Sequence, residues 1–488
     1  MDRFSEPLGI SAREFSWTHA GRIKPALRQV NLDIQPGERV LICGDSGSGK
    51  STLMAALAGV LGGDDEGAAE GCLDLITGTG AHEPGSGVPV GLVLQDPDSQ
   101  VIAASVGRDV AFGCENLGLE RTEIWRRVEE SLSLVGLDLP VDYPTAKLSG
   151  GQKQRLALAG VMAMGAGLIL LDEPTANLDP QGARTVIAAV QRVVKATGAT
   201  LVVVEHQYSQ WEGLLDRAIV LEKGAVLDDA DFATVVSSRQ LGGLPVAEET
   251  TSSPDLWSEE LLTRFGPPRN CEIPAGCSTV ITGENGSGKT TWLMTMAGLL
   301  PKVSGDIGVA ERVRRGAKGE PSEWTSRVLA ERIGFVFQNP EHQFVARSVV
   351  EEMRIAPRIA YRALHEKRWW QKVSHAAQKG IDGGVDKRIA ELLERLRLTD
   401  LADANPFTLS GGEKRRLSVA TALVAAPSVV LLDEPTFGQD PTTFGELVTM
   451  LRELADSGVT IASITHDPNF IAALGDKKIH FKKGSTGA

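Results

Sequence analysis

No stretch of this 488-residue sequence is apolar for long enough to cross a bilayer. A membrane helix needs about 20 consecutive apolar residues, and the longest candidate, VMAMGAGLILL (161–171), falls short and runs into acids. The opening MDRFSEPLGI has no apolar core segment and is not expected to be a signal peptide. Cysteine is scarce: five residues, an odd number, with no C-x-x-C pair. That pattern argues against zinc and iron–sulfur sites and for a reducing cytosol. A basic surplus is missing too. The net charge of −13 argues against nucleic acid as the main partner, because phosphate contacts need clustered Lys and Arg. At 42% hydrophobic and 23% charged residues, the chain reads as globular and long enough for about two to four domains.

What is present is a pattern that occurs twice. Gly44-Asp45-Ser46-Gly47-Ser48-Gly49-Lys50-Ser51-Thr52 and Gly283-Glu284-Asn285-Gly286-Ser287-Gly288-Lys289-Thr290-Thr291 both fit the phosphate-binding loop G-x-x-x-x-G-K-[ST]. The glycines let successive backbone N–H groups turn toward phosphate oxygens. The lysine reaches the β/γ-phosphates, and the following hydroxyl, Ser51 or Thr290, holds Mg²⁺. An apolar strand precedes each loop, at Val40-Leu41-Ile42-Cys43 and Val280-Ile281. After the first loop, Leu53, Leu57, Val60 and Leu61 line one face of a predicted helix. Each loop therefore opens a helix, where the dipole favours anions.

The loops are one part of an internal duplication. LVLQDPDSQ (92–100) matches FVFQNPEHQ (335–343), LSGGQKQR (148–155) matches LSGGEKRR (409–416), and LILLDEPTANLDP (168–180) matches VVLLDEPTFGQDP (429–441). VVVEH (202–206) matches ASITH (462–466), and DRAIVLEKG (216–224) resembles DKKIHFKKG (476–484). Alternating apolar runs and helical stretches predict two α/β domains with largely parallel sheets. The continuous runs LILL, VVLL and LVVV suit strands buried on both faces. The predicted layout is a first domain over 1–232, a polar Gly/Pro/Ser/Thr-rich linker over 233–256 and a second domain over 257–488.

Strand-end polar residues supply the candidate chemistry. Asp172 and Asp433 are placed to hold Mg²⁺. Glu173 and Glu434 follow at once and suit polarising the water that attacks the γ-phosphate. His206 and His466 suit contact with the γ-phosphate, and Gln95 and Gln338 suit sensing Mg²⁺ or the attacking water.

LSGGQ and LSGGE resemble the signature of the ATP-binding-cassette (ABC) family, and the resemblance covers nearly the whole chain. It implies an ATPase binding ATP and Mg²⁺, with two tandem P-loop domains, each a largely parallel sheet core with a helical subdomain. In that family the signature of one domain completes the ATP site of the other, head to tail. The resemblance thus implies one site from Lys50, Ser51, Gln95, Asp172, Glu173 and His206 with Ser410, Gly411 and Gly412. The other comes from Lys289, Thr290, Gln338, Asp433, Glu434 and His466 with Ser149, Gly150 and Gly151. Asp179 and Asp440 stand at the family's D-loop position, expected at the interface. The family's adenine-stacking aromatic corresponds to Trp17 in FSW. The second copy is shortened there and offers only Trp257 or Phe265.

Within the family, the Q-x-P-x-x-Q spacing and the segments that follow it (95–119 and 338–353), with TFGQD (436–440), are similar to the ATPases of energy-coupling factor (ECF) importers. That resemblance implies a peripheral location on the inner face of the cell membrane. The implied partners are an integral membrane scaffold protein and a small solute-binding membrane protein, with no nucleic acid and no solute bound by this chain. Two alternatives remain: the fused ATPase of a sugar importer, and a ribosome-associated tandem ABC translation factor, whose long charged linker this chain lacks. The stretch 363–388, with Trp369-Trp370 among Lys and Arg, reads either as a partner or membrane-surface contact or as a solvated helix of the helical subdomain.

Overall fold

The computed structural model describes residues 6–22, 24–45, 47–62, 66–176, 178–239, 243–250, 252–366, 375–436 and 439–482, with the backbone alone described within 360–383. Ser46, Phe437, Gly438 and the pair Trp369-Trp370 lie outside the described residues. The chain divides into two compact units, Met1–Gln240 and Leu241–Ala488.

In the first unit a six-stranded sheet runs Ala225–Asp231, Arg217–Glu222, Arg39–Cys43, Thr200–Val204, Leu168–Asp172, Val90–Val93. All of its pairs are parallel except the outermost, Ala225–Asp231 on Arg217–Glu222. The apolar runs are continuous because alternate residues feed two cores. Leu41, Ile169, Leu171, Leu201 and Val203 face one cluster, and Val40, Ile42, Leu168, Leu170, Val202 and Val204 face the other. Each such side chain contributes about 1.5–3 kcal/mol on burial. Helices Val106–Asn116, Arg121–Leu134 and Gly150–Ala163 pack together beside this sheet. A separate antiparallel sheet, Leu27–Ile34, Gly9–His19, Gly67–Thr77, Gly80–His82, covers the second cluster.

The second unit repeats this plan. Five strands, Ile333–Val336, Val429–Asp433, Thr460–Ile464, Ser278–Gly283 and Lys477–Phe481, are all parallel. Val430 and Leu432 face one core, Val429 and Leu431 the other. Strands Arg269–Pro274, Pro254–Leu262 and Ser304–Val309 form the antiparallel sheet. Helices Val349–Glu366, His375–Arg395 and Gly411–Leu423 correspond to the helical group of the first unit.

The helix after the first phosphate loop is shorter than its apolar spacing predicts. It ends at Leu57, because Gly59 adopts a left-handed φ of 68°, and Val60 is left 62% exposed. Ordered structure also enters the stretch read as linker. Helix Phe232–Ser238 lies largely within it, Pro254 already opens a strand, and the amides of Ala247 and Glu248 bond Ala472 O and the Asp476 carboxylate.

Candidate functional site

Open parallel sheets gather polar groups at the carboxyl ends of their strands. In the first unit the strands ending at Cys43, Val204, Asp172 and Val93 are consecutive neighbours, so the phosphate loop, His206, Asp172-Glu173 and Gln95 fall along one edge. The second unit sets Gly283, His466, Asp433-Glu434 and Gln338 on the matching edge.

Each phosphate loop leaves its strand through a glycine that only glycine can serve. Gly44 has φ 149°, and a Cβ there would sit 2.1 Å from Leu221 O; Gly283, at φ 139°, would meet Phe481 O at 2.2 Å. Helices then begin at Lys50 and Lys289. The Lys50 ammonium donates to Gly44 O (2.8 Å) and Asp45 O (3.0 Å), and Lys289 to Gly283 O (2.6 Å) and Glu284 O (2.9 Å). Both lysines are thus folded over their own loops, inside the cradle where a phosphate would lie. Ser48 Oγ and Ser287 Oγ are buried there without a hydrogen-bond partner, which suits a loop shaped around an oxygen-rich ligand.

The carboxylates meet the loop hydroxyls. Asp172 is hydrogen-bonded with Ser51, and Asp433 with Thr290. Burial, then the charge of Glu173, pushes Asp172 up to about 6, and burial raises Asp433 as well. Asp433 Oδ2 is buried without a partner. A hydroxyl beside a carboxylate that is costly to leave charged and unpaired is an oxygen donor set that fits Mg²⁺.

The following glutamates differ between the units. Both hold a left-handed backbone, φ 46° at Glu173 and 49° at Glu434, with their amides bonded to Val204 O and Ile464 O. Non-glycine residues bear strain there, and such strain gathers at functional sites. Glu173 Oε2 accepts from Gln95 Nε2 at 2.8 Å, and Oε1 lies 3.2 Å from His206 Nε2. Burial works to raise its pKa, but the His206 hydrogen bond and the charges of His206 and Lys50 prevail, and Glu173 ends below the usual range. In the second unit His466 Nε2 stands 3.8 Å from Glu434 Oε1, and no counterpart of the Gln95 bond occurs among the described residues. Burial, then the charge of Asp433, pushes Glu434 up to about 8. Arg415, at the place of Gln154, donates to Phe337 O and Gln338 O as Gln154 does to Leu94 O and Gln95 O, but brings a positive charge.

The signature serines cap helices. Ser149 Oγ accepts from Gln152 N while Ser149 N donates to Gln152 Oε1, and Ser410 does the same with Glu413. Gly150, Gly151, Gly411 and Gly412 form the first turns, where backbone N–H groups have no intrahelical acceptor. Asp179 and Asp440 likewise cap the helices that begin at Pro180 and Pro441, accepting from Gly182 N and Thr443 N.

The adenine candidates are placed unevenly. Trp17 is buried, only 6% exposed, with its indole N–H on His19 Nδ1. His19 Nε2 lies 3.5 Å from Thr52 Oγ1, so the imidazole, which sequence reasoning did not single out, stands between Trp17 and the phosphate-loop helix. The bond from Glu260 N to Asn270 mirrors that from Glu14 N to Asn31, and this register sets Thr263 where Trp17 stands. Trp257 packs on Gly308. Phe265 is 55% exposed, and its carbonyl lies where a side chain on Gly288 would intrude, beside the second phosphate loop.

Two largely parallel sheets, each with one phosphate loop, a strand-end carboxylate pair and a capped signature helix, define a tandem P-loop nucleotide-hydrolysing protein. Sequence comparison agrees: a model of the ABC transporter family matches residues 27–176 and 268–437, more than half of the chain. The chain belongs to the ABC family and is an ABC ATPase, its relatives being ATP-binding proteins of ABC transporters. A protein of Bacillus subtilis (strain 168), provisionally named the HMP/thiamine import ATP-binding protein YkoD, is 31% identical over 98% of this chain and 90% of its own length. An ABC transporter ATP-binding protein of Methanosarcina mazei, likewise a provisional name, is 31% identical over 97% of this chain and 93% of its own. Among solved structures, an RNase-L inhibitor is similar with a TM-score of 0.62 over 96% of this chain and 88% of its own, at 20% identity, a likeness of fold alone.

Proposed function

We propose that the chain energises an importer of ECF type for a micronutrient, a vitamin or a metal ion, from the inner face of the cell membrane. It supplies both ATPases in one polypeptide, and its partners are a membrane scaffold and a small solute-binding membrane protein. The observation that carries this reading is the paired Q-x-P-x-x-Q turn. After each turn one carboxylate clamps two amides: Asp109 accepts from Ile102 N (2.8 Å) and Ala103 N (2.9 Å), Glu352 from Val345 N (2.8 Å) and Ala346 N (2.6 Å). The clamped residues are apolar yet exposed, Ile102 by 63% and Val345 by 76%. A rigid apolar knob at the same place in both copies suits docking on a membrane subunit. No helix among the described residues is long and apolar enough to cross a membrane itself, and the Bacillus relative is provisionally named for HMP/thiamine import.

In this reading Lys50 and Lys289 hold the β/γ-phosphates, and Ser51 with Asp172 and Thr290 with Asp433 hold Mg²⁺, which neutralises phosphate charge when bound. Glu173 accepts the proton of the attacking water, Glu434 takes the same place and serves only in its ionised form, and His206 and His466 orient them. The signature serines bond only the first turn of their own helices among the described hydrogen bonds, which in this reading leaves the glycine amides for the nucleotide of the other unit. The test is co-purification from membranes. Recovery with an integral membrane scaffold supports the reading; cosedimentation with ribosomes and no membrane partner favours the translation-factor alternative and overturns it.

A further inference from the structure

Resting on that reading, we infer that Glu205 is a positioning residue that locks the hydrolytic groups of the first unit together, a device the second unit does not have. Glu205 follows strand Thr200–Val204 and is 4% exposed. One carboxylate oxygen accepts from Thr175 N (3.2 Å) and from Thr175 Oγ1, and the other accepts from His206 N at 3.1 Å. Thr175 stands two residues after Glu173, on the loop that carries it. Two adjacent strand ends are therefore tied through one side chain: the loop bearing Glu173 and the residue bearing the His206 imidazole. The imidazole in turn lies 3.2 Å from Glu173, which holds Gln95, so the contacts close into a ring.

Among the described residues no cation is hydrogen-bonded to this carboxyl; three donors satisfy it, and burial raises its pKa. A buried acid costs stability unless its bonds are complete, and a threonine fits the same strand end in the second unit. There Thr465, fully buried, accepts from Asp467 N at 3.1 Å, and among the described residues it makes no bond to Thr436, the counterpart of Thr175. The wider contact in the second unit, 3.8 Å from His466 to Glu434 against 3.2 Å from His206 to Glu173, accompanies that difference. Glu205 touches neither phosphate loop nor Asp172 through any described hydrogen bond, so it acts on the geometry of Glu173 and His206 rather than on nucleotide binding.

The experiment is ATPase activity against ATP concentration in the full chain carrying Glu434→Gln, which silences the second unit. Glu205→Thr and the near-isosteric Glu205→Gln are compared, with Glu173→Gln as control. If Glu434→Gln alone silences the chain, turnover requires both units, and the same comparison is read in the otherwise unchanged chain. Misplacing a catalytic group by about 1 Å can cost about a hundredfold. The expected result is a kcat lowered about ten- to a hundredfold by Glu205→Thr and less by Glu205→Gln, which keeps one acceptor, with KM for ATP within about threefold. The Gln variant keeps the side chain's shape and gives the reading should the Thr variant not fold. An unchanged kcat in both variants while Glu173→Gln is silent overturns the inference, as does a loss confined to KM. Full turnover in Glu173→Gln overturns instead the role of Glu173 on which the inference rests.

Discussion

Replacing Glu173 and Glu434 by glutamine separates chemistry from folding, because the two sites start from opposite electrostatic states. A positioned general base contributes about 10²–10⁴ in rate, or about 3–5 kcal/mol of barrier. The double variant Glu173→Gln/Glu434→Gln should lose turnover on that scale and still bind ATP, since lysines, loop glycines and Mg²⁺ ligands are untouched. The single variants should differ in stability. The Glu173 carboxylate has a pKa below its usual range, so folding favours its charged form, and neutralising it removes stability. Its amide replacement can accept from Gln95 but must then present N–H to His206 Nε2, which requires the proton on Nδ1, an atom buried without a partner. One unsatisfied buried group costs about 1–3 kcal/mol. Glu434 is raised to about 8, so at neutral pH it is already mainly protonated, and an amide replaces it at little cost. Thermal unfolding of the nucleotide-free protein should therefore show a lower Tm for Glu173→Gln and little change for Glu434→Gln. Steady-state ATPase and nucleotide titration complete the assay. Normal turnover in the double variant would refute both base assignments, and equal Tm losses in the two single variants would refute the electrostatic argument.

Three further outcomes are expected. Lys50→Ala and Ser410→Arg should damage one site, so the pair should cost little more ATPase activity than either alone, whereas Lys50→Ala with Ser149→Arg should cost more; coupling of Lys50 to Ser149 instead would end the head-to-tail proposal. Isothermal titration of the purified chain should detect ATP with Mg²⁺ and no vitamin or metal solute, and a micromolar solute affinity without partners would contradict the importer reading. Gly44→Ala and Gly283→Ala should each destabilise their unit by about 2–4 kcal/mol through left-handed strain and collision with the Leu221 or Phe481 carbonyl; denaturant unfolding indistinguishable from the parent would show the loops to be less constrained.

Much of this was legible from local pattern alone. LILL, VVLL and LVVV announced doubly buried parallel strands, because a strand with apolar neighbours on both faces has no polar side to alternate with. The phosphate loops and the strand-end carboxylates were readable because each is a contiguous motif whose geometry depends on its own backbone. The antiparallel sheets were not read: their strands, such as Gly9–His19 and Gly67–Thr77, pair across distant chain segments and show no continuous apolar run. Val60 kept the helical spacing and yet lies outside the helix, because Gly59 turned the chain.

The sequence by itself determined that there are two phosphate loops, two signatures and two carboxylate pairs, since each needs only a few adjacent residues in order. Tertiary structure alone decided that the two strand-end glutamates are held differently. Whether a glutamate is held charged or neutral depends on what burial and neighbouring strand ends bring to it. At Glu173 that is Gln95 and His206; at Glu434 it is Asp433, with no counterpart of that glutamine bond among the described residues. Trp17, aromatic at the expected place, is buried in the second apolar cluster with its indole N–H on His19, and Glu205 is tied to Thr175 thirty positions earlier. Such contacts arise between strands that are neighbours in the sheet and remote in the chain, so no local pattern carries them.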